Sequence, residues 1–243
     1  MKLYLEKRGF SDLQLKQLKA LNKYVKLHNN YKSKNVLADV QPGNLVNVFW
    51  KSRLIEQMGK FKIELISSVS GKIFDEKLKL QALNSVCSLL EKFLPERQNY
   101  SQIFNATNAF IDLLTFQDES KNDYWMEGYV KWEIGVLSSI GFSLDLNRCA
   151  VTGSDTNLLF VSPKTGKAVS KEGAGRHAPR LLLLPSFLGG DNVIDSNFYK
   201  EILAGLKITS YFFKNKLLLS INTNKPINLP NKRIRFVELI EKL

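Results

Sequence analysis

A glycine- and lysine-rich stretch between helical patterns constrains this fold more than any other part of the sequence. Cys149 precedes a turn at Thr152–Gly153, a short apolar run follows at Leu158–Val161, and a second turn follows at Pro163–Gly166. Turn residues on both sides of a short apolar run are typical of a small β-hairpin. We therefore predict a β-ribbon at about residues 148–180, inserted into a helical body.

The sequence on both sides of the ribbon has the apolar period of helices. Within residues 72–243, apolar side chains recur every three or four positions. One predicted helix is anchored by Trp125 and Trp132 and ends at Gly141, because glycine readily takes the left-handed conformation that closes a helix. Glu133 lies among these bulky residues, and we interpret it as an exposed or locally paired carboxylate. The expected result is a mainly helical domain that carries the ribbon.

The first 71 residues have a different pattern. Residues 1–30 read as helix, whereas strand-like runs occur near residues 36–40, 44–52 and 59–67. In the last run, apolar and charged residues alternate, as in a strand with one wet face. These runs predict an antiparallel hairpin in a small, basic N-terminal β domain. The fold class expected for the whole chain is therefore α+β.

The net charge of +12 is unevenly distributed. Residues 1–71 hold 13 Lys and Arg against 5 Asp and Glu, a net +8, and residues 72–243 hold 22 against 18, a net +4. Residues 161–180 contain five bases and one acid, which accounts for that +4. Two basic regions on an otherwise balanced chain favour a polyanionic partner, most simply nucleic acid. The alternative is a generally basic surface that has no such partner.

Candidate phosphate contacts occur in both basic regions. On the predicted hairpin, aromatic residues are interleaved with bases, as in a platform where nucleobases stack on rings while cations follow the phosphates. The alternative for the aromatic residues is the protein core, and the alternative for the ribbon bases is a solvated loop. The hairpin candidates for DNA binding are Lys32, Lys34, Lys51, Arg53, Lys60 and Lys62, and the ribbon candidates are Lys164, Lys167, Lys171, Arg176 and Arg180.

Recognisable catalytic and metal-binding motifs are absent from the sequence. It has no Walker glycine loop, no GxGxxG after a strand and no HExxH. It has only two histidines and two cysteines, in unrelated contexts, so Cys149 lacks partners at the spacing of a zinc site. We predict a binding protein and not an enzyme, without cofactor or metal. No apolar run has the length of a transmembrane helix, and no signal-peptide pattern opens the chain, so a cytoplasmic location without membrane contact is expected.

Several sequence blocks are distinctive enough to indicate a family. They are Gln41–Asn44, Trp50–Arg53, Leu94–Arg97, Gly141–Leu146, Arg148–Gly153, Val161–Ser170 and Leu184–Leu188. In this order they resemble RecO, a family of bacterial recombination mediators, and in particular its alphaproteobacterial branch. The resemblance implies an N-terminal OB barrel and a helical domain with a zinc-finger-like insertion. It also implies binding and annealing of single- and double-stranded DNA at the nucleoid, with RecR, RecA and single-stranded-DNA-binding protein as partners.

Two features of the sequence depart from the family pattern. Residues 1–30 read as helix where the family has barrel strands, so the OB-like domain expected at residues 1–71 is incomplete in the sequence. Some family members carry four cysteines in the ribbon, whereas Cys149 is alone here and Thr152 stands where a second ligand would fall. We therefore expect a ribbon that folds without zinc.

The favoured interpretation is a DNA-binding recombination mediator of RecF-pathway gap repair, which anneals single strands and helps to load a recombinase. The alternatives are a protein-interaction scaffold whose N-terminal module no longer binds DNA, an RNA-binding protein, and a nucleic-acid-processing enzyme with an unrecognised site. Annealing requires two strands to be held without masking their base edges. We expect the hairpin bases to hold one strand and the ribbon bases to recruit the second.

Overall fold

The computed structural model describes residues 41, 43–51, 60–69, 71–94, 100–116, 123–191, 197–215 and 228–243. The chain divides into two compact units between Asn105 and Ala106. Helices and strands both occur, which confirms the mixed α+β class. The predicted helix at residues 1–30 and the predicted strand at residues 36–40 lie outside the described residues. The OB-like character of the N-terminal domain and its boundary at residue 71 stay predictions.

The predicted hairpin is present in the first unit. Strand β1, Leu45–Lys51, pairs in antiparallel fashion with β2, Lys60–Ser67. The turn before β1 is closed by the Asn44 N–H, which donates to the Gln41 carbonyl at 3.1 Å. The Asn44 side chain accepts a hydrogen bond from the Val69 N–H at 3.0 Å. One asparagine therefore links the start of β1 to the segment that follows β2.

Helix α1, Lys77–Phe93, follows the hairpin. Its apolar residues recur at helical spacing, and the face that they form is buried. Gly43, in the turn before β1, has a φ of +89°, and a Cβ at this position would lie 2.6 Å from the Leu83 side chain. Glycine is therefore required twice over, for its backbone conformation and for its close approach to α1. The buried apolar residues of α1 are Ala82, Leu83, Val86, Leu89, Leu90 and Phe93.

The second unit combines a helical core with the ribbon. None of the described helices combines the length and the apolarity needed to cross a membrane. In chain order the elements are α2 (Ser101–Thr115, which begins in the first unit), α3 (Trp125–Ser139), β3 (Leu158–Val161), β4 (Ala168–Ser170), α4 (Lys171–Ala174), β5 (Leu182–Leu183), α5 (Phe198–Asn215) and α6 (Asn231–Ile240).

Aromatic side chains form the centre of the helical core. Tyr129 of α3 lies between Phe110 of α2 and Phe236 of α6, with ring centroids 5.8 Å and 4.6 Å away. The indole N–H of Trp132 donates to the Thr107 hydroxyl at 3.0 Å, so its polar end is satisfied although the residue is buried. Such rings contribute large apolar areas and additional edge-to-face attraction. Trp132, one of the two tryptophans on which the sequence anchored this helix, is thus part of the aromatic core.

Helix α3 ends at Ser139 and is closed by Gly141, the glycine that the sequence predicted as its terminus. Gly141 has a φ of +96°, and its N–H donates to the Ser138 carbonyl at 3.0 Å. The next N–H, that of Phe142, donates to the Leu137 carbonyl at 2.8 Å. This pair of bonds is the Schellman arrangement, which needs the left-handed conformation that glycine adopts without steric cost.

Our interpretation of Glu133 as an exposed or locally paired carboxylate is wrong. Glu133 has 0% of its surface exposed, and its carboxylate contacts Arg233 of α6, 100 positions later, with both N···O distances 3.1 Å. Tyr129 donates a third hydrogen bond to it at 2.9 Å, and Thr209 donates a fourth. A charge can be buried here because its partner and its hydrogen bonds replace the lost water.

The predicted ribbon is present, with one strand more than expected. Strands β3 and β4 form the predicted hairpin, and β5 adds to the other edge of β3, giving the order β4-β3-β5. Between β4 and β5 the chain forms α4 and a 3₁₀ helix at Gly175–Arg180. Beyond β5, Asp191 closes the ribbon, because its N–H donates to the Leu158 carbonyl at 2.8 Å while its carboxylate accepts from the Leu158 N–H at 2.9 Å.

Candidate nucleic-acid interface

The hairpin candidates are only partly within the described structure. Lys51 ends β1 and Lys60 begins β2, and the two lie opposite each other in the antiparallel register. Lys62 lies opposite Phe49, two positions further along the hairpin. The pairing of β1 with β2 therefore brings three of the predicted bases to neighbouring positions of the hairpin backbone. Their side chains, and the residues Lys32, Lys34 and Arg53, lie outside the described part of the chain.

All five ribbon candidates are exposed to solvent. They come from three successive elements of the ribbon, and none belongs to a buried strand position. Lys164 and Lys167 lie in the turn region between β3 and β4, Lys171 begins α4, and Arg176 and Arg180 belong to the 3₁₀ helix. The structure thus places every one of these cations where an external anion can reach it.

Lys167 has a carboxylate nearby. Its Nζ lies 3.8 Å from the Asp145 Oδ2, and the two side chains are 53% and 51% exposed. An ion pair this open to water contributes little, commonly below about 1 kcal/mol. A phosphate can therefore compete with Asp145 for Lys167 at small cost.

Backbone hydrogen bonds hold the loop that carries Lys167 firmly against the segment before the ribbon. The Asp145 N–H donates to the Gly166 carbonyl at 3.1 Å, and the Ala168 N–H donates back to the Asp145 carbonyl at 2.8 Å. A Cβ on Gly166 would lie 3.0 Å from the Leu144 side chain and 3.5 Å from Phe212 of α5. The turn that carries Lys164 and Lys167 therefore packs beside the helical core at Gly166.

The far end of the ribbon is attached by a second carboxylate. Glu201 of α5 is buried, and its Oε2 accepts hydrogen bonds from both the N–H and the hydroxyl of Ser186. Phe187 follows Ser186 in the 3₁₀ helix Ser186–Leu188, and the Nζ of Lys131 in α3 lies 5.7 Å from the centroid of its ring. Two core helices, α3 and α5, therefore contact the segment that follows β5.

Cys149 lies at the base of the ribbon with its thiol buried. Burial raises the pKa of this thiol, but the hydrogen bonds from Ser170 and Thr152 together lower it by more. The resulting pKa is about 6, below the ordinary 9.0. The sulfur accepts N–H groups from Val151 at 3.4 Å, Thr152 at 3.4 Å and Ser170 at 3.2 Å. Among the described residues, no three His, Cys, Asp or Glu side chains cluster closely enough to hold a metal ion. The base of the ribbon is a hydrogen-bonded polar cluster.

One exposed base of the ribbon was missed in the sequence analysis. Arg148, directly before Cys149, is also exposed, and residues 148–180 hold six bases against the acids Asp155 and Glu172. The charge count began at residue 161, the last residue of the apolar run, and therefore excluded Arg148. The predicted extent of the ribbon, which starts at residue 148, was the signal that could have found it.

Exposed cations on a firmly held backbone can bind a polyanion without reading its sequence. Lysine and arginine contacts to phosphate oxygens position a nucleic acid, while sequence is read mainly by contacts to base edges. The family model described as "Recombination protein O C terminal" matches residues 78–225, more than half of the chain, including the whole ribbon. The chain belongs to the RecO family.

Curated RecO relatives are similar over most of their length. The DNA repair protein RecO of Rhodospirillum rubrum is 36% identical over 211 residues, which cover 87% of this chain and 82% of the relative. That of Cereibacter sphaeroides is 39% identical over 210 residues, covering 86% and 82%. A Wolbachia RecO is 39% identical over 189 residues, covering 76% of each chain. The family predicted from the sequence, and its alphaproteobacterial branch, are thus confirmed.

Proposed function

We propose that this protein acts in DNA repair as a DNA-binding recombination mediator that binds and anneals single strands. The observation that carries the proposal is the ribbon, on which all five predicted bases are exposed while Ser186, just beyond β5, is hydrogen-bonded to Glu201 of α5. The similar RecO proteins are named as DNA repair proteins, which supports the same role. The mechanism requires phosphate contacts and no covalent step.

The hairpin supplies a second basic surface. In the antiparallel register Lys51 lies opposite Lys60, and Lys62 lies opposite Phe49, so these four positions share one face of the hairpin. Cations beside an aromatic ring suit a single strand. We assign this surface to the first strand and the ribbon bases to the second. Base edges then stay available for pairing, because the contacts run mainly to phosphates.

A mediator of this kind works with other proteins. RecR, RecA and single-stranded-DNA-binding protein are the partners expected for it, with recombinase loading in gap repair as the outcome. This role places the protein on DNA in the cytoplasm, associated with the nucleoid.

Fluorescence anisotropy titrations test the proposal. The full chain is titrated with single-stranded DNA, duplex DNA and RNA of matched length at two salt concentrations. If about four bases contact phosphates of a single strand, log K falls against log salt with a slope of roughly −3, taking about 0.7 per contact. The variant Lys51→Ala/Arg53→Ala/Lys60→Ala/Lys62→Ala should bind weakly and with a much shallower slope.

The control variant is Lys207→Ala/Lys214→Ala/Lys242→Ala. It removes three exposed lysines from α5 and the chain end and should bind nearly as the parent does. A slope near zero, or parental affinity in the hairpin variant, contradicts the proposal. Tight RNA binding with weak DNA binding would favour the RNA-binding alternative.

A further inference from the structure

Two short turns meet at the base of the ribbon. The first runs from Cys149 to Thr152, and the Thr152 N–H donates to the Cys149 sulfur at 3.4 Å. The second runs from Ser170 to Gly173, and the Gly173 N–H donates to the Ser170 hydroxyl oxygen at 3.1 Å. The turns join because the Ser170 N–H donates to the Cys149 sulfur at 3.2 Å and the two hydroxyl oxygens lie 3.4 Å apart.

This arrangement has the layout of a metal-binding ribbon but not its ligands. The family resemblance implies a zinc-finger-like insertion, and structural zinc is held by four side chains, almost always cysteine or histidine, in a tetrahedron. Two pairs of positions here have the spacing of paired zinc ligands, with two residues between the members of each pair: Cys149 with Thr152, and Ser170 with Gly173. They supply one thiol and two neutral hydroxyls, and Gly173 has no side chain to offer. The residues present do not fit zinc.

The surroundings of Gly173 show that the Cys149 thiol occupies the space beside this glycine. A Cβ on Gly173 would lie 2.8 Å from the Cys149 sulfur, 3.2 Å from the Val151 Cβ and 3.3 Å from the Ser170 hydroxyl. A contact of 2.8 Å is shorter than packed atoms tolerate, so a side chain and the thiol cannot both occupy this point without movement. The sulfur is also satisfied as an acceptor by three N–H groups, including that of Val151 at 3.4 Å.

We infer that a hydrogen-bonded junction of Cys149, Thr152 and Ser170 closes this ribbon in place of a metal ion, and that Gly173 is required because the thiol occupies the space beside it. The inference concerns folding of the ribbon and does not rest on DNA binding. Because Arg148 and Lys171 directly adjoin the junction residues, the junction also fixes the backbone from which these two exposed bases project.

The first experiment measures metal dependence. The full chain is purified without added metal, its zinc content is determined, and thermal unfolding is recorded with and without a strong zinc chelator. Zinc content far below one per chain and an unchanged Tm are expected. Stoichiometric zinc, or a Tm lowered by the chelator, overturns the inference.

The second experiment tests the junction by a double-mutant cycle of Cys149→Ala and Gly173→Ala. Gly173→Ala alone should lower Tm by roughly 2–12 °C, as overpacking does in a chain of this size. In the Cys149→Ala background the same substitution should cost much less, because the sulfur that it collides with is gone. Equal costs in both backgrounds overturn the part of the inference that concerns Gly173.

Amide hydrogen exchange separates loss of the junction from general unfolding. In Cys149→Ala the amides of Val151, Thr152 and Ser170 should exchange faster, because they lose their common acceptor. The Leu158 amide, which is held by Asp191, should keep its parental protection. If the three amides stay protected in the folded variant, the sulfur does not hold the ribbon and the inference is wrong.

Discussion

The helical core and the ribbon of the second unit use charge in opposite ways. The core buries Arg233 at 2% exposure, and all three of its guanidinium nitrogens have acceptors among Glu133, Thr209, Ser210 and the Leu206 carbonyl. The ribbon leaves its five predicted bases in water, and one of them, Lys167, has only a loose and exposed partner in Asp145. The comparison teaches that burial distinguishes a charge that positions a helix from a charge that can bind an external anion.

The largest effect is expected when the buried pair is broken. Burial alone would lower the pKa of Arg233, but the charge of Glu133 and its hydrogen bonds raise it, so the guanidinium stays charged. Arg233→Met leaves Glu133 as an unpaired buried carboxylate and should cost about 3–5 kcal/mol of unfolding free energy, measured in urea.

The double variant Glu133→Leu/Arg233→Met is the matched control for this experiment. It should be more stable than Arg233→Met, because neither charge of the pair is then left without the other. If Arg233→Met costs less than about 1 kcal/mol, the pair is not the element that docks α6, and the contrast with the ribbon bases fails.

A smaller effect is expected from the pH dependence of the ribbon. The pKa of Cys149 is about 6 when folded and 9.0 ordinarily, so the unfolded chain binds a proton that the folded chain has released between these values. The contribution of Cys149 is complete above about pH 9 and is lost as the pH falls through about 6. The stability of the parent relative to Cys149→Ser should therefore rise with pH in this window.

Urea unfolding of both proteins at several pH values measures this difference. Cys87 is present in both chains, so its titration cancels. A difference that stays constant from pH 6 to pH 9 would contradict the assignment of a lowered pKa to the thiol.

Substitution of Gly141, which closes α3 before the ribbon, should lower the stability of the protein. Gly141 has a φ of +96°, and nothing lies within 4 Å of a Cβ placed there, so Gly141→Ala tests backbone conformation alone. The expected loss is about 1–2 kcal/mol of unfolding free energy. Gly135, on the same helix, also has nothing within 4 Å, and Gly135→Ala should instead stabilise the protein by about 0.5–1 kcal/mol. If both variants change the unfolding free energy in the same direction, the left-handed conformation is not what Gly141 supplies.

The smallest effect concerns the exposed pair on the ribbon. Asp145→Asn should change stability by less than about 1 kcal/mol, because the ion pair is half open to water. It should tighten DNA binding slightly, since Lys167 then has no competing carboxylate at its Nζ. Anisotropy titration of Asp145→Asn beside Asp155→Asn measures this. If both variants tighten binding equally, the effect is one of total charge and not of Lys167.

The local features of this protein could be predicted from the sequence, and the distant pairings could not. The hairpin β3–β4 and the closure of α3 by Gly141 were predicted because turn residues and glycine act on their immediate neighbours. Strand β5 was missed because two residues carry no periodicity, and it is defined only by its pairing with Phe160 and Val161. Glu133 was misinterpreted for the same reason, since its partner lies 100 positions away.

The candidate site follows the same division. The exposure of Lys164, Lys171 and Arg176 could be anticipated, because charged residues in turns and short helices seldom become buried. The junction at Cys149 could not, because the sequence showed a lone thiol and gave no sign that Ser170 donates to it. The hairpin assignments stay predictions.

The measurement that tests the central claim most directly is the annealing rate of the variant Lys164→Ala/Lys167→Ala/Lys171→Ala. It is compared with the parent and with Lys207→Ala/Lys214→Ala/Lys242→Ala, which loses the same charge outside the ribbon, by following complementary fluorescent oligonucleotides at fixed salt. Slower annealing with nearly unchanged single-strand affinity is expected for the ribbon variant, and parental annealing for the control. Parental annealing in the ribbon variant, or a parallel collapse of its single-strand affinity, would contradict a ribbon that recruits the second strand.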